Sequence, residues 1–346
     1  MTEQTAIPTS NRRVPTDRPT DSPSRSRDRP PQESRGADKP PDRLTPTIFH
    51  EPWWLKTVSG GRCSEATAVA DGKTVGRLPY VLSKSFGMAS IGMPALTHFL
   101  GPAIDCGQGS SATKFLKGVS ITRALIDALP TASHIWIKLH RGITDTVAFQ
   151  ESGFTTDVQF TSEITPAPEE DLWRQMRDKT RNVIRRAQEN MSTIEEADPD
   201  RFIALYTANL RERGMASHYD FSIVRNLVEE CLKRRAGRLL TAMNATGISK
   251  AGIFTVWDSG SQYYLMATRT ADAGNGASSL LIWHAIKDAA TRGLVFDFDG
   301  ARHAKDIRFF AGFGGTSKPR YWVWRSSPTF RVVSHMLAQR RWSRTD

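Results

Sequence analysis

The hydrophobic pattern divides the chain at about residue 46. From Met1 to Pro46 there is almost no Phe, Leu, Val or Trp, while Pro, Arg, Asp and Ser recur, as in Arg25–Ser26–Arg27–Asp28–Arg29–Pro30–Pro31. Such a segment cannot bury enough apolar surface to offset its ordering entropy, so residues 1–46 read as a disordered tail. Beyond it the pattern alternates. Short strands are predicted at 67–70 and 74–81, joined by the turn pair Asp71–Gly72, then at 134–139 and up to 164. Apolar residues at three- and four-residue spacing (Leu172, Met176, Val183, Ile184, Ala187, Met191) predict one helix over 169–191. Further helices are predicted at 111–129, 199–213, 222–235, 278–292, 304–312 and from 329. Further strands are predicted at 238–243, 250–257, 262–268, 294–298 and 320–325. Strands interspersed with helices imply an α/β or α+β fold, a mixed sheet covered by helices.

The two halves repeat an order of strand meander, helix, strand and short helix closing on Phe and Gly–Phe. Phe149…Gly153–Phe154 and Phe309…Gly312–Phe313 mark it.

Composition narrows the class. The chain has 346 residues, 39% hydrophobic, enough for a large core. Three scattered cysteines (63, 106, 231) and eight histidines without ligand spacing predict neither a disulfide framework nor a metal site. No apolar run reaches the length of a membrane span, and the tail lacks a signal-peptide core, so a cytoplasmic protein is expected, with at most peripheral membrane contact. The net charge is +11; residues 1–43 hold nine Lys/Arg against seven Asp/Glu, so about +9 belongs to the rest. That balance favours anionic partners such as coenzyme phosphates, nucleotide-linked sugars, tRNA or an acidic lipid surface.

Three constellations carry candidate chemistry. The turn Gly274–Asn275–Gly276–Ala277–Ser278–Ser279 falls between a predicted strand and a predicted helix, where bare N–H groups can hold a phosphate; Arg269 and Tyr264 precede it. An ordinary strand-to-helix loop with a Ser cap has the same composition. Asp297 and Asp299, two apart on a predicted strand, would share one face and can take a proton from an amine, or can pair with arginines. Arg181, Arg185 and Arg186 belong to a basic stripe that suits either an anionic substrate or a solvated face.

These residues, in order, resemble the Fem-type and related GNAT-like acyltransferases, which are built from two fused GNAT-like domains. The matching marks are Phe49–Pro52–Trp54–Leu55, Leu78–Pro79–Tyr80, Met93–Pro94…Leu100–Gly101–Pro102, Lys179–Thr180–Arg181–Asn182–Val183–Ile184–Arg185–Arg186–Ala187, Phe296–Asp297–Phe298–Asp299–Gly300 and Phe309–Phe310–Ala311–Gly312–Phe313–Gly314. The resemblance implies a first GNAT-like domain over 47–165, a second over 166–318, and a segment 319–346 that packs back on the first. It also implies transfer of an acyl group to an amine on an anionic acceptor, such as a cell-envelope or polysaccharide precursor. The donor would be acyl-CoA, a co-substrate rather than a tightly bound cofactor, or alternatively aminoacyl-tRNA; a non-catalytic binding protein of this fold is the third reading. DNA is not an implied partner. On this pattern Asp297 and Asp299 would be catalytic, Arg269 and 274–279 would hold the donor, and Arg181, Arg185, Arg186 and Tyr264 would hold substrate. Where the family's coenzyme loop opens with Arg or Gln, this chain has Ala271.

Overall fold

The computed structural model describes residues 42–85, 87–274, 276–301 and 304–342. The tail read as disordered lies, up to residue 41, outside the described residues. A helix Pro52–Ser59 (α1), with proline in its first turn, opens the ordered part. A meander follows: β1 (Cys63–Ala70), β2 (Lys73–Ser85), β3 (Met88–Gly92) and the short β4 (Ala103–Ile104). Then come α2 (Ser111–Asp127), β5 (His134–Lys138), α3 (Val147–Glu151) and β6 (Thr155–Ile164). The second half runs α4 (Glu169–Gln175), α5 (Asp178–Asn190), β7 (Met191–Glu196), α6 (Pro199–Glu212), α7 (Phe221–Lys233), β8 (Gly237–Asn244), β9 (Ser249–Trp257) and β10 (Ser261–Arg269). It closes with α8 (Gly276–Thr291), β11 (Val295–Asp297), α9 (Ala304–Phe310), β12 (Thr316–Ser326) and α10 (Pro328–Trp342).

Among the described residues the strands form one mixed sheet in the order β1-β2-β3-β5-β12-β6-β11-β10-β9-β8-β7, with β4 beside β2. The last strand in the chain therefore lies between β5 and β6, antiparallel to both. Successive residues of the second-half strands serve opposite cores. Leu239, Phe254 and Val256 pack with α1, α6 and α7, whereas Leu240 and Ile253 pack with α4, α5 and α8. Buried on both faces, β9 reads as a nearly continuous apolar run. A third cluster joins α2 and α3 to the first-half strands, including Leu78, Leu125, Phe149 and Val323.

Three expectations change. The helix predicted over 169–191 is two helices, because Met176 turns extended (φ −70, ψ 148) and its side chain stays in the core while the axis restarts at Asp178. The chain leaves α5 directly into β7, a strand of mixed polar pattern that begins at the predicted end of the helix and was otherwise unassigned. β11 ends at Asp297, so Asp299 is not on a strand; its φ is +63.

Candidate active site

The site starts from a strand pair that parts. β10 and β11 run parallel and pair only at Ser261–Val295, Gln262–Phe296 and Tyr263–Asp297. β10 then continues to Arg269 against β9 alone, through a register shift between Tyr264 and Met266. β11 stops, and the chain turns through Asp299 and Gly300, both at positive φ. The notch between them is bordered by stacked aromatics, Phe298 on Phe310 at 4.5 Å and Tyr264 edge-on to Phe298 at 6.3 Å. Burial pushes the Tyr264 phenol well above its ordinary range.

At this open end α8 begins. Ala277, Leu280 and Leu281 anchor its first turns in the core, which fixes its N-terminus beside the notch. The preceding loop holds a short turn at 271–273 and then Gly274 at φ 58, ψ −163, a conformation that essentially only glycine adopts. It is braced: Arg269 donates to the Gly274 carbonyl at 2.9 Å, Lys250 pairs with Asp272, and the Ala271 N–H reaches Glu212 at 3.4 Å. Unpaired N–H groups and the helix dipole make such an N-terminus attractive to anions.

Two clefts flank it. One, of ≈ 420 Å³, is lined by Asn209, Arg213, Arg269, Ser278, Lys305 and Asp306, with Tyr264 and Phe309. The other, of ≈ 340 Å³, is lined by Arg177, Lys179, Ser279, Arg308 and again Lys305 and Phe309. Through these shared residues, α9 borders both. Its Ile307 lines a third, wider groove of ≈ 870 Å³ on the face of β5, β12 and β6, with Trp136, Lys138, Asp157, Gln159 and Trp322. The helix thus stands between basic clefts and an aromatic groove.

The residues expected from sequence fall into three groups. Arg269, Gly274, Ser278, Ser279 and Tyr264 border the clefts or brace the loop between them. Gly276 and Ala277 pack the helix start, with a Gly276 Cβ position 3.4 Å from Ala187; Asn275 lies outside the described residues. Arg181, Arg185 and Arg186 are not among the cleft residues. Arg181 donates to the carbonyls of Met176 (2.7 Å) and Arg174 (3.0 Å) and pairs with Asp178, closing the end of α4. Arg185 lies over the Trp173 ring, and Arg186 is exposed. The cations that do line the clefts include Arg177, Lys179, Arg213, Lys305 and Arg308. Arg177 and Lys179 open α5, Lys305 and Arg308 stand three apart on α9, and Arg213 closes α6, so the fold rather than one stripe assembles the set.

The two aspartates have different surroundings. Asp297 is fully buried; Oδ1 accepts from Thr161 Oγ1 (2.6 Å) and the Asp299 N–H (2.8 Å), and Oδ2 accepts from Arg320 (2.8 Å). Arg320 also pairs with Glu163, which Arg141 approaches at 3.4 Å. Asp297 therefore ties β11 to β6 and β12, as a buried carboxylate must be tied. The Asp299 side chain, 1% exposed, pairs with Nδ1 of His98, whose ring is 24% exposed. Holding a non-glycine residue at positive φ costs about 1–3 kcal/mol, a strain that tends to mark functional turns. His98 carried no signal of its own in the sequence.

Among the described residues no three His, Cys, Asp or Glu side chains converge as a metal site, and no helix is long and apolar enough to cross a membrane.

Comparison with known proteins agrees with this geometry. Residues 174–305, from α4 into α9, match the family model described as acetyltransferase (GNAT) domain. The structure of FemX is similar at 13% identity, over 79% of this chain and 90% of that one, with a TM-score of 0.58. L-PGS from Bacillus licheniformis is similar at 10% identity over 82% and 90%, with a TM-score of 0.51. A conserved protein of unknown function from Bacteroides thetaiotaomicron is similar at 10% identity over 79% and 88%, with a TM-score of 0.50. No curated protein sequence matches. At these identities the likeness is one of fold: the chain shares the GNAT-like architecture of the Fem-type proteins.

Proposed function

We propose that this chain is an acyltransferase that moves an acyl group from a coenzyme A thioester to an amine. The observation that carries the reading is the parting of β10 from β11 beside the N-terminus of α8, with Arg177, Lys179, Arg213, Arg269, Lys305 and Arg308 around it. Donor phosphates meet the helix N-terminus and these cations, and the thioester arm enters the notch. The acceptor, an amine-bearing molecule such as an envelope or polysaccharide precursor, approaches along the aromatic groove of Trp136, Phe160 and Trp322.

In the reaction the nitrogen lone pair forms a bond to the thioester carbonyl and the carbon–sulfur bond breaks. The proton lost by nitrogen passes to the imidazole of His98, and the departing thiolate is protonated from solvent. Asp299 fixes the ring by its pairing at Nδ1, so its part in catalysis runs through His98. Asp297 holds the turn on which Asp299 stands. Most of the acceleration would come from placing the two reactants together.

An aminoacyl-tRNA donor is the second reading, favoured by the charge of +11. Thermal denaturation with acetyl-CoA and with charged tRNA separates the two. A ligand at a hundred times its Kd adds about 2.7 kcal/mol of stability. A shift with acetyl-CoA and none with tRNA is the expected result; a shift with tRNA alone would replace this proposal by the second reading.

A further inference from the structure

One buried group beside α8 has a hydrogen-bonding capacity that the protein leaves unused. Asn209, in the last turn of α6, is 8% exposed and lines the first cleft. Its Nδ2 donates to Thr268 Oγ1 on β10 at 3.1 Å, while Oδ1 has no partner among the described residues. A buried acceptor without a partner costs about 1–3 kcal/mol, which a ligand N–H would offset.

The charges in the same cleft define that N–H. Arg213, Arg269 and Lys305 line it, against the carboxylate of Asp306. An incoming ammonium would meet this positive excess, whereas a neutral amide on an anionic molecule satisfies both the acceptor and the cations. We infer that Asn209 receives, at Oδ1, an amide N–H from the pantetheine arm of the donor. This inference rests on the coenzyme A reading and sharpens it. An aminoacyl ester would bring its α-ammonium to this wall, where the pantetheine arm brings amides between its pyrophosphate and its sulfur. Asn209 thereby selects the donor's arm, apart from the groups that hold its phosphates.

Calorimetric titration of the full chain with coenzyme A and with adenosine 3′,5′-bisphosphate, which has phosphates but no arm, tests this. Asn209→Leu should weaken coenzyme A binding about ten-fold and leave the bisphosphate within about two-fold. Asn209→Asp, which keeps an acceptor oxygen, should stay within about three-fold of the native chain for coenzyme A. Asn209→Ala serves the same comparison if the leucine variant does not fold. Unchanged coenzyme A affinity in Asn209→Leu, or equal weakening of both probes, would overturn the inference and leave the donor reading standing. If the native chain binds neither probe, the donor reading fails and this one with it.

Discussion

Asp297 and Asp299 are separated by one residue and differ in what their removal should do. Asp297→Asn breaks a buried pairing with Arg320 and should cost roughly 3 kcal/mol of stability, measured by urea denaturation. Asp299→Asn and His98→Gln should instead lower kcat about a hundred-fold with KM for the donor unchanged. If both variants keep full turnover, neither residue handles the proton. Flanking phenylalanines made clear in the sequence that the aspartates needed partners. Which partner each takes was not legible, because Arg320 reaches Asp297 only through a sheet order that sequence spacing does not encode. Two other buried residues give a pH dependence. His50 and His140 donate from Nε2 to the carbonyls of Gly101 and Pro102, and at Nδ1 accept from the Thr47 hydroxyl and the Gly142 N–H. Both rings are thus held neutral. Burial lowers His140 to about 4 and His50 well below its ordinary value. The unfolded chain binds these protons first, so the stability they provide is complete above about pH 6.5 and is lost as pH falls towards 4. For His140 alone the loss is about 3 kcal/mol. Urea midpoints that stay level between pH 7 and pH 4.5 would contradict this.

At the scale of elements, periodicity located most helices and strands, since one buried face repeats at 3.6 or at 2. It failed where a face continues across a break. Met176 and Ile184 both serve the same core, so α4 and α5 read as one helix although the backbone extends between them. That error moved the arginines: on a continuous helix Arg177, Arg181 and Arg185 form one stripe, whereas the break gives Arg177 to a cleft and Arg181 to the end of α4. β3 and β7 were missed because they are short and only partly buried. The loop before α8 was legible as a Gly-rich turn, and its backbone yields a separate prediction. A Cβ at Gly274 would meet nothing within 4 Å, yet φ 58 with ψ −163 excludes alanine. Gly274→Ala should therefore move the loop, lowering coenzyme A affinity about ten-fold or more, at a stability cost of about 1–3 kcal/mol. Calorimetry and melting of the same variant check both numbers.

For the whole molecule, the mixed sheet under helices was legible from the alternation of elements; the resemblance implied that 319–346 returns to the first half, but the place of β12 between β5 and β6 was not legible. β12 pairs with β5 over 322–326 and with β6 over 316–324. Ending the chain after Gly315 removes the middle of the sheet rather than an edge. Such a truncation should abolish cooperative thermal unfolding, because Val323 leaves the core and the buried Asp297 and Glu163 lose Arg320. A truncated chain that melts as one sharp transition would show that the halves stand without it.

The same placement sets the order in which the protein can fold. While a chain grows from its N-terminus, β5 and β6 exist long before the strand between them, and each exposes an unpaired edge until residue 326 has emerged. Such edges recruit other chains, and long-range pairing is slow to form. Refolding should be limited by insertion of β12, and the nascent chain is one that chaperones would need to shield until its final strand arrives.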